Sequence, residues 1–234
     1  CEYAARGSYR KKFFDHERKQ AFPARIVPLS RGQAGNFFVA VRSRIPAQKY
    51  GNMDARLTTE AQRMAKVDGG VLIGRILKEQ NVKYMFAVNG GHTFPILANL
   101  RDNGIKLIHM RHEQATAYAA DAYGRVSGMP GVCSVTAGCG LTNAVTGLCG
   151  AGLANSAVVC LSGQHPTTED IIGSFQEAYG SDVVASFAKF TKRVLDWSTI
   201  EVDLRQAFRE ATSPPQGVAL YEIPSNILYH ADDE

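Results

Sequence analysis

The sequence predicts an α/β domain: a doubly wound, mostly parallel six-stranded sheet with helices on both faces. Three observations predict it. Strand-like and helix-like stretches alternate about six times from Val67 onward. The strand-like stretches are short, continuous apolar runs such as Leu107 to Met110 and Ala157 to Leu161, as expected when both faces of a sheet are covered. Small or polar residues follow those runs: Asn89-Gly90-Gly91-His92, Arg111-His112-Glu113, Ala137-Gly138-Cys139-Gly140 and Ser162-Gly163-Gln164. In a parallel sheet these stretches share one rim, at the carboxyl ends of the strands, where such folds take their ligands.

Residues 1–63 lack a sustained period and read as a basic N-terminal extension. Pro23, Pro28, Gly32 and Gly35 interrupt them, and only Phe37 to Val41 suggests a short strand. An Arg-rich, acid-poor head suits an organellar targeting segment, a non-native leader, or sequence upstream of a start at Met64. Residues 64–234 form the regular domain. Asp68 can cap a helix carrying Val71, Leu72, Ile76 and Leu77 at helical spacing. Tyr84 to Val88 is a strand, and Thr93 starts a helix through Leu100. Asn103-Gly104 turns the chain into the strand before Glu113. Glu113 heads an alanine-rich helix with almost no polar face, expected to be packed on most sides and closed by Gly128 and Pro130. Gly131 to Thr136 is a strand, and Leu141 to Leu153 a helix. Ala157 to Leu161 is a strand. Short helices are expected around Asp170 to Gln176 and Ser181 to Ala188, and a strand over Lys192 to Leu195. Ile200 to Thr212 is an amphipathic helix with Val202, Leu204, Ala207, Phe208 and Ala211 inside. Val218 to Ile223 is the last strand, stopped by Pro224.

Composition narrows the function. The 234 residues hold one α/β domain of about 150 to 200 residues plus extra material. No run approaches the roughly 18 to 20 apolar residues of a membrane span. The net charge of +4 is uneven: residues 1–63 hold 13 Lys+Arg and 5 Asp+Glu, whereas residues 64–234 hold 13 and 17. The regular domain is therefore mildly acidic and lacks the basic face that nucleic-acid binding needs. The five cysteines form no CxxC pair and fit no zinc pattern. Buried, reduced thiols and a cytoplasmic location fit this usage.

Several rim residues carry possible chemistry. Gly90 and Gly91 remove side chains where a ligand can approach the backbone, or simply make a tight turn. Gly138-Cys139-Gly140 before a helix resembles a phosphate cradle, but no GxxxxGK[ST] is present. No GxGxxG follows the first strand, which argues against a nicotinamide-binding domain. His92 and His112 lack a carboxylate at ligand spacing and make a poor metal site, so no metal ligand is expected in this chain. Thr142 and Asn143 can cap their helix, and Gln164 can be a solvated loop residue. Burial would raise the pKa of Glu113 and the helix N-terminus would lower it, so the group is poised to trade a proton near neutrality. Position alone favours a cap or a pair with Arg111.

A resemblance gives Glu113 another task. Phe86-Ala87-Val88-Asn89-Gly90-Gly91, Arg111-His112-Glu113, the Ala115/Ala119/Ala122/Tyr123/Arg125 helix, Thr136 to Asn143, Ser162-Gly163-Gln164 and Phe175-Gln176-Glu177 follow one another in a characteristic order. Together they resemble the N-terminal pyrimidine-binding domain of thiamine-diphosphate enzymes, in the acetolactate synthase-like branch. The resemblance spans about Val67 to Tyr229. It implies that Glu113 hydrogen-bonds ring nitrogen N1′ of the cofactor's aminopyrimidine and favours its imino tautomer. It implies further that Gly90, Gly91, Gly138 and Asn143 shape the pyrimidine site, and that His92 and Gln164 face the substrate, a small 2-oxo acid.

Two departures from the family pattern stand out. Phe86-Ala87 replaces the usual Phe-Gly, and no Gly-Asp-Gly motif is present to bind the diphosphate and its Mg2+. Those ligands are expected on a diphosphate-binding domain outside this chain, supplied by a homo- or hetero-oligomeric partner. FAD occurs in the family, bound mainly by a middle domain, and finds no support here. The chain thus reads as half of a decarboxylase or carboligase. Its alternatives are the small subunit of a split sulfopyruvate or phosphonopyruvate-type decarboxylase, and a non-catalytic module that keeps the fold.

Overall fold

The computed structural model describes residues 66–232. The expected strand at Phe37 to Val41 lies outside them.

The chain enters along strand β1 (Val67–Asp68). Asp68 then accepts a hydrogen bond from the Val71 N–H at 2.9 Å and so caps helix α1 (Gly69–Glu79). Strand β2 (Tyr84–Ala87) leads through a 3-10 turn (Gly91–Thr93) to helix α2 (Phe94–Asn99). Strand β3 (Lys106–His109) leads to helix α3 (Glu113–Ser127), and β4 (Gly131–Val135) to α4 (Cys139–Leu153). After β5 (Val158–Gln164) comes a long connection and the short helix α5 (Gly180–Val184). Strand β6 (Phe190–Arg193), helix α6 (Ile200–Thr212), strand β7 (Val218–Pro224), helix α7 (Ser225–Leu228) and strand β8 (Ala231–Asp232) complete the fold.

Six strands form one all-parallel sheet in the order β3-β2-β4-β5-β7-β6, as the apolar runs predicted. A two-stranded antiparallel ribbon, β1 with β8, was not legible in the sequence because each strand is only two residues long. Alternate strand residues feed two cores. Val159, Leu161, Ala219, Tyr221 and Ile223 meet Ile73 and Leu77 of α1 and Leu204 and Phe208 of α6 on one face. Val158, Cys160, Val218 and Leu220 meet Ala117 and Ala120 of α3 and Ala144 and Leu148 of α4 on the other. The sheet is therefore doubly wound.

Several local expectations change. Asp170 to Gln176 forms no helix: a single 3-10 turn (Thr167–Glu169) is followed by turns in which Ile171, Gly173 and Gln176 have positive φ. Positive φ breaks the helical repeat. The helix expected over Ser181 to Ala188 is shorter, and the strand at Lys192 to Leu195 lies two residues earlier. Val202 is 66 % exposed and lies outside the core, because the buried stripe of α6 runs through Ile200, Asp203, Leu204, Ala207, Phe208 and Ala211. Helix α3 is packed on one face only, through Thr116, Ala117, Ala120 and Asp121, while Tyr118 and Val126 on its other side are exposed. Alanines shed the cue that separates a covered face from an open one.

Candidate active site

The sheet order sets the site. Strands β2 and β4 are neighbours, but the chain leaves β2 toward α2 on one face and β4 toward α4 on the other. Loops diverging from adjacent parallel strands open a crevice at their carboxyl ends. The predicted rim stretches meet there. A Cβ at Gly90 would lie 2.2 Å from the Cβ and Oγ1 of Thr136, so only glycine allows this approach. The His92 Nδ1 and Thr136 Oγ1 are 3.2 Å apart. A Cβ at Gly163 would lie 2.4 Å from the Cβ of His92, so the end of β5 makes room for that histidine. Gly91 has open space where its Cβ would be.

Glu113 and Asn143 meet from two helices. Glu113 is the first residue of α3, yet the cap of that helix is His112, whose Nδ1 accepts from the Gln114 N–H at 3.1 Å. The carboxylate of Glu113 instead accepts from the Asn143 amide: Nδ2 to Oε2 is 3.1 Å. Asn143 thus reaches Glu113 rather than capping α4, whose N-cap is Gly138 with no side-chain bond. A Cβ at Gly140 would lie 3.8 Å from Glu113 Oε1. Glu113 is half-buried rather than sequestered, because its helix is covered on one side only.

Gly138 adopts φ 56°, and a Cβ there would lie 2.3 Å from the carbonyl oxygen of Gln176. The Gln176 amide also donates to the sulfur of Cys139 at 3.0 Å. The segment after β5 therefore folds over the start of α4. Phe175 in that segment is 77 % exposed and stacks on His92, with ring centroids 6.2 Å apart. Desolvation, and then the nearby His165, lower the pKa of His92 below its ordinary 6.5.

Gln164 departs from expectation. It is 1 % exposed and turned inward. Its amide nitrogen donates to the Ala178 carbonyl and to Glu222, and its oxygen accepts from Arg193. Its hydrogen-bonding groups are used within the fold, so it does not face the crevice.

It belongs to a polar network that sequence reading missed. Glu222 accepts from Gln164, from the Gly180 and Ser181 N–H groups and from the Ser181 hydroxyl. Arg193 grips Asp170 with both terminal nitrogens, at 2.9 and 2.6 Å. That contact first, against partial desolvation, holds the Asp170 carboxyl below the usual range. His165, fully buried, contacts Asp170 at 2.8 Å. The signal available was a lone glutamate, Glu222, inside an apolar strand, since a buried charge implies partners.

Of the cysteines, Cys133 and Cys160 are buried register partners on β4 and β5, Cys139 is exposed, and all the described ones are free. Among the described residues no group of His, Cys, Asp or Glu is placed to hold a metal ion, and no helix is long and apolar enough to cross a membrane.

This parallel fold, with its glycine-lined crevice between β2 and β4, defines a class. Residues 67–185 match the family described as thiamine pyrophosphate enzyme, N-terminal TPP binding domain, over about half of the chain, and the chain belongs to that family. It is similar to an acetolactate synthase large subunit of Mycobacterium tuberculosis, 34% identical over 168 residues, which are 72% of this chain and 31% of that protein. It is also similar to the 2-hydroxyacyl-CoA lyase 2 of Xenopus laevis, 37% identical over 170 residues (73% and 26%). The human 2-hydroxyacyl-CoA lyase 2 is 34% identical over 180 residues (74% and 28%). The chain spans about a third or less of the length of these relatives.

Proposed function

We propose that this chain supplies the pyrimidine-binding half of a thiamine-diphosphate-dependent 2-oxo acid decarboxylase or carboligase, with Glu113 as the proton-handling residue. The observation that carries it is the Glu113–Asn143 contact between the first turns of α3 and α4, within a chain of this cofactor's family. The residues fit an aminopyrimidine. Asn143 occupies one carboxylate oxygen, which leaves Oε1 of Glu113 beside the bare face of Gly140 for a ring nitrogen. When bound, the cofactor supplies the electron sink for breaking a carbon–carbon bond next to a carbonyl. Glu113 holds or releases the proton at ring nitrogen N1′. Gly90, Gly91 and Gly138 keep the crevice free of side chains, and His92 faces the substrate.

The reading includes a domain division at residues 63 and 64, with 64–234 as the pyrimidine-binding domain. A diphosphate-binding domain, with its Mg2+ ligands, comes from elsewhere in a longer protein or from a separate subunit, in a cytoplasmic oligomer. The relatives' names support carbon–carbon bond chemistry at 2-oxo or 2-hydroxyacyl carbons as the substrate class.

Glu113→Gln in the assembled enzyme tests the reading. Turnover of a 2-oxo acid, followed as carbon dioxide release, should fall by about 10²-fold or more, with circular dichroism unchanged. Wild-type turnover in that variant would refute the assignment.

A further inference from the structure

The end of the sheet reaches back to two rim loops. After β7, helix α7 sinks Ile227 and Leu228 into the core, at 6 % and 0 % exposure. The two residues flanking this buried pair point outward and are taken up by different loops. Asn226 makes a two-point contact with Thr167: its Oδ1 accepts from the Thr167 N–H at 3.0 Å, and its Nδ2 donates to the Thr167 hydroxyl at 2.9 Å. Tyr229 donates its hydroxyl to the Gly91 carbonyl at 2.7 Å. Gly91 has no side chain to anchor it, and His92 follows it directly. Thr167 begins the segment that carries Phe175. The two contacts therefore brace the starts of the two loops that carry the His92–Phe175 stack, each from one end of a four-residue span whose middle is buried.

We infer that Asn226 and Tyr229 are positioning residues: a strap that sets His92 against Phe175 at the mouth of the crevice. The geometry suits this task. The anchor is rigid, because two core side chains fix it. Other contacts share the same loops: Thr136 meets His92, Gln176 reaches α4, and Arg193 and His165 fix Asp170 inside the second segment, so the strap sets where each loop starts rather than its whole course. Desolvation, with a smaller contribution from Asp68, raises the pKa of Tyr229, so the phenol stays a donor through the neutral range.

Tyr229→Phe, Asn226→Ala and the double variant in the full chain test the strap. Each removes only surface hydrogen-bonding atoms, so the fold survives. By amide hydrogen exchange, Tyr229→Phe should speed exchange at residues 90–93 about fivefold, the worth of one ordinary hydrogen bond. Asn226→Ala should do the same at 167–169. In the double variant, the His92 imidazole, titrated by NMR, should move up toward its ordinary pKa as Phe175 ceases to cover it. Wild-type exchange in both loops, or an unmoved His92 titration, overturns the strap.

Its consequence for catalysis rests on the proposed function. In the assembled enzyme the double variant should lose kcat several-fold with a smaller change in its KM for thiamine diphosphate, since Glu113 and Asn143 sit on helices the strap does not touch and only the Gly91 carbonyl is shared with the crevice. Unchanged kcat, or an equal shift in both constants, overturns that role. Should Glu113→Gln turn over like wild type, the proposed chemistry fails while the exchange and titration results still decide the strap.

Discussion

Asn143 and Glu113 lie thirty residues apart, yet their side chains touch. That contact follows from α3 and α4 packing side by side over the sheet, so no local pattern announces it. The motifs around Glu113 marked it as a candidate; its side-chain contact with Asn143 was not legible, because a polar residue in a first helical turn reads equally as a cap. The glycines invite a sharper test. Gly90→Ala drives a Cβ into Thr136 and should cost about 1–3 kcal/mol in urea denaturation. Gly91→Ala meets open space and should stay within about 0.5 kcal/mol of wild type. His92 adds a pH dependence. Its folded pKa lies below its unfolded value of 6.5, so the unfolded chain binds the proton more readily. The contribution of His92 to stability is complete above the unfolded pKa and declines as pH falls through 6.5 toward the folded value. Urea midpoints measured between pH 7.5 and 5.5 should drop, and His92→Gln should flatten that slope.

At the scale of elements, the connection after β5 shows where sequence patterns stop informing. It holds no repeat because its order comes from two carboxylates: Asp170, in the grip of Arg193, and Glu177. Glu177 accepts backbone N–H bonds from Ile171, Gly173 and Ser174 at 2.7, 2.8 and 3.0 Å, and the Tyr179 hydroxyl at 3.2 Å. The Ile171 bond first, against some desolvation, holds the Glu177 carboxyl below its ordinary 4.5. Ile171, a β-branched residue, is thereby kept at φ 67°, a conformation that needs such bracing. Glu177→Ala should release the turn and speed limited proteolysis between residues 170 and 176 severalfold. In the wild type the same loosening should appear only as pH falls below 4.5 and through the depressed folded value, since a carboxyl lowered in the fold stabilises above its unfolded pKa. Helix α6 was read well in its extent and wrongly at Val202, where apolar character outvoted phase. Val202→Gln should be near neutral, whereas Leu204→Ala, fully buried, should cost about 2–5 kcal/mol; thermal unfolding distinguishes them.

For the whole molecule, the sheet was legible because parallel strands covered on both faces must be apolar throughout, and the rim followed from parallelism alone. The strand order was not legible: nothing in Tyr84 to Ala87 says that β4 rather than β5 will be its neighbour, and the crevice depends on that choice. The polar network around Arg193 and Glu222 was equally hidden, since its members come from three separated strands and a loop. The chain's family is that of a thiamine pyrophosphate-binding domain, and the length of the relatives makes this fold one part of a larger protein in them.

The small ribbon of Val67–Asp68 against Asp232 and Ala231 carries a topological consequence. It brings the incoming and outgoing strands of the described fold side by side, within the spacing of one ladder. The order of the elements along the chain is therefore separable from their arrangement in space. Sealing that gap with a short glycine linker and opening the chain after the exposed Gly104 should yield a circular permutant that retains the fold.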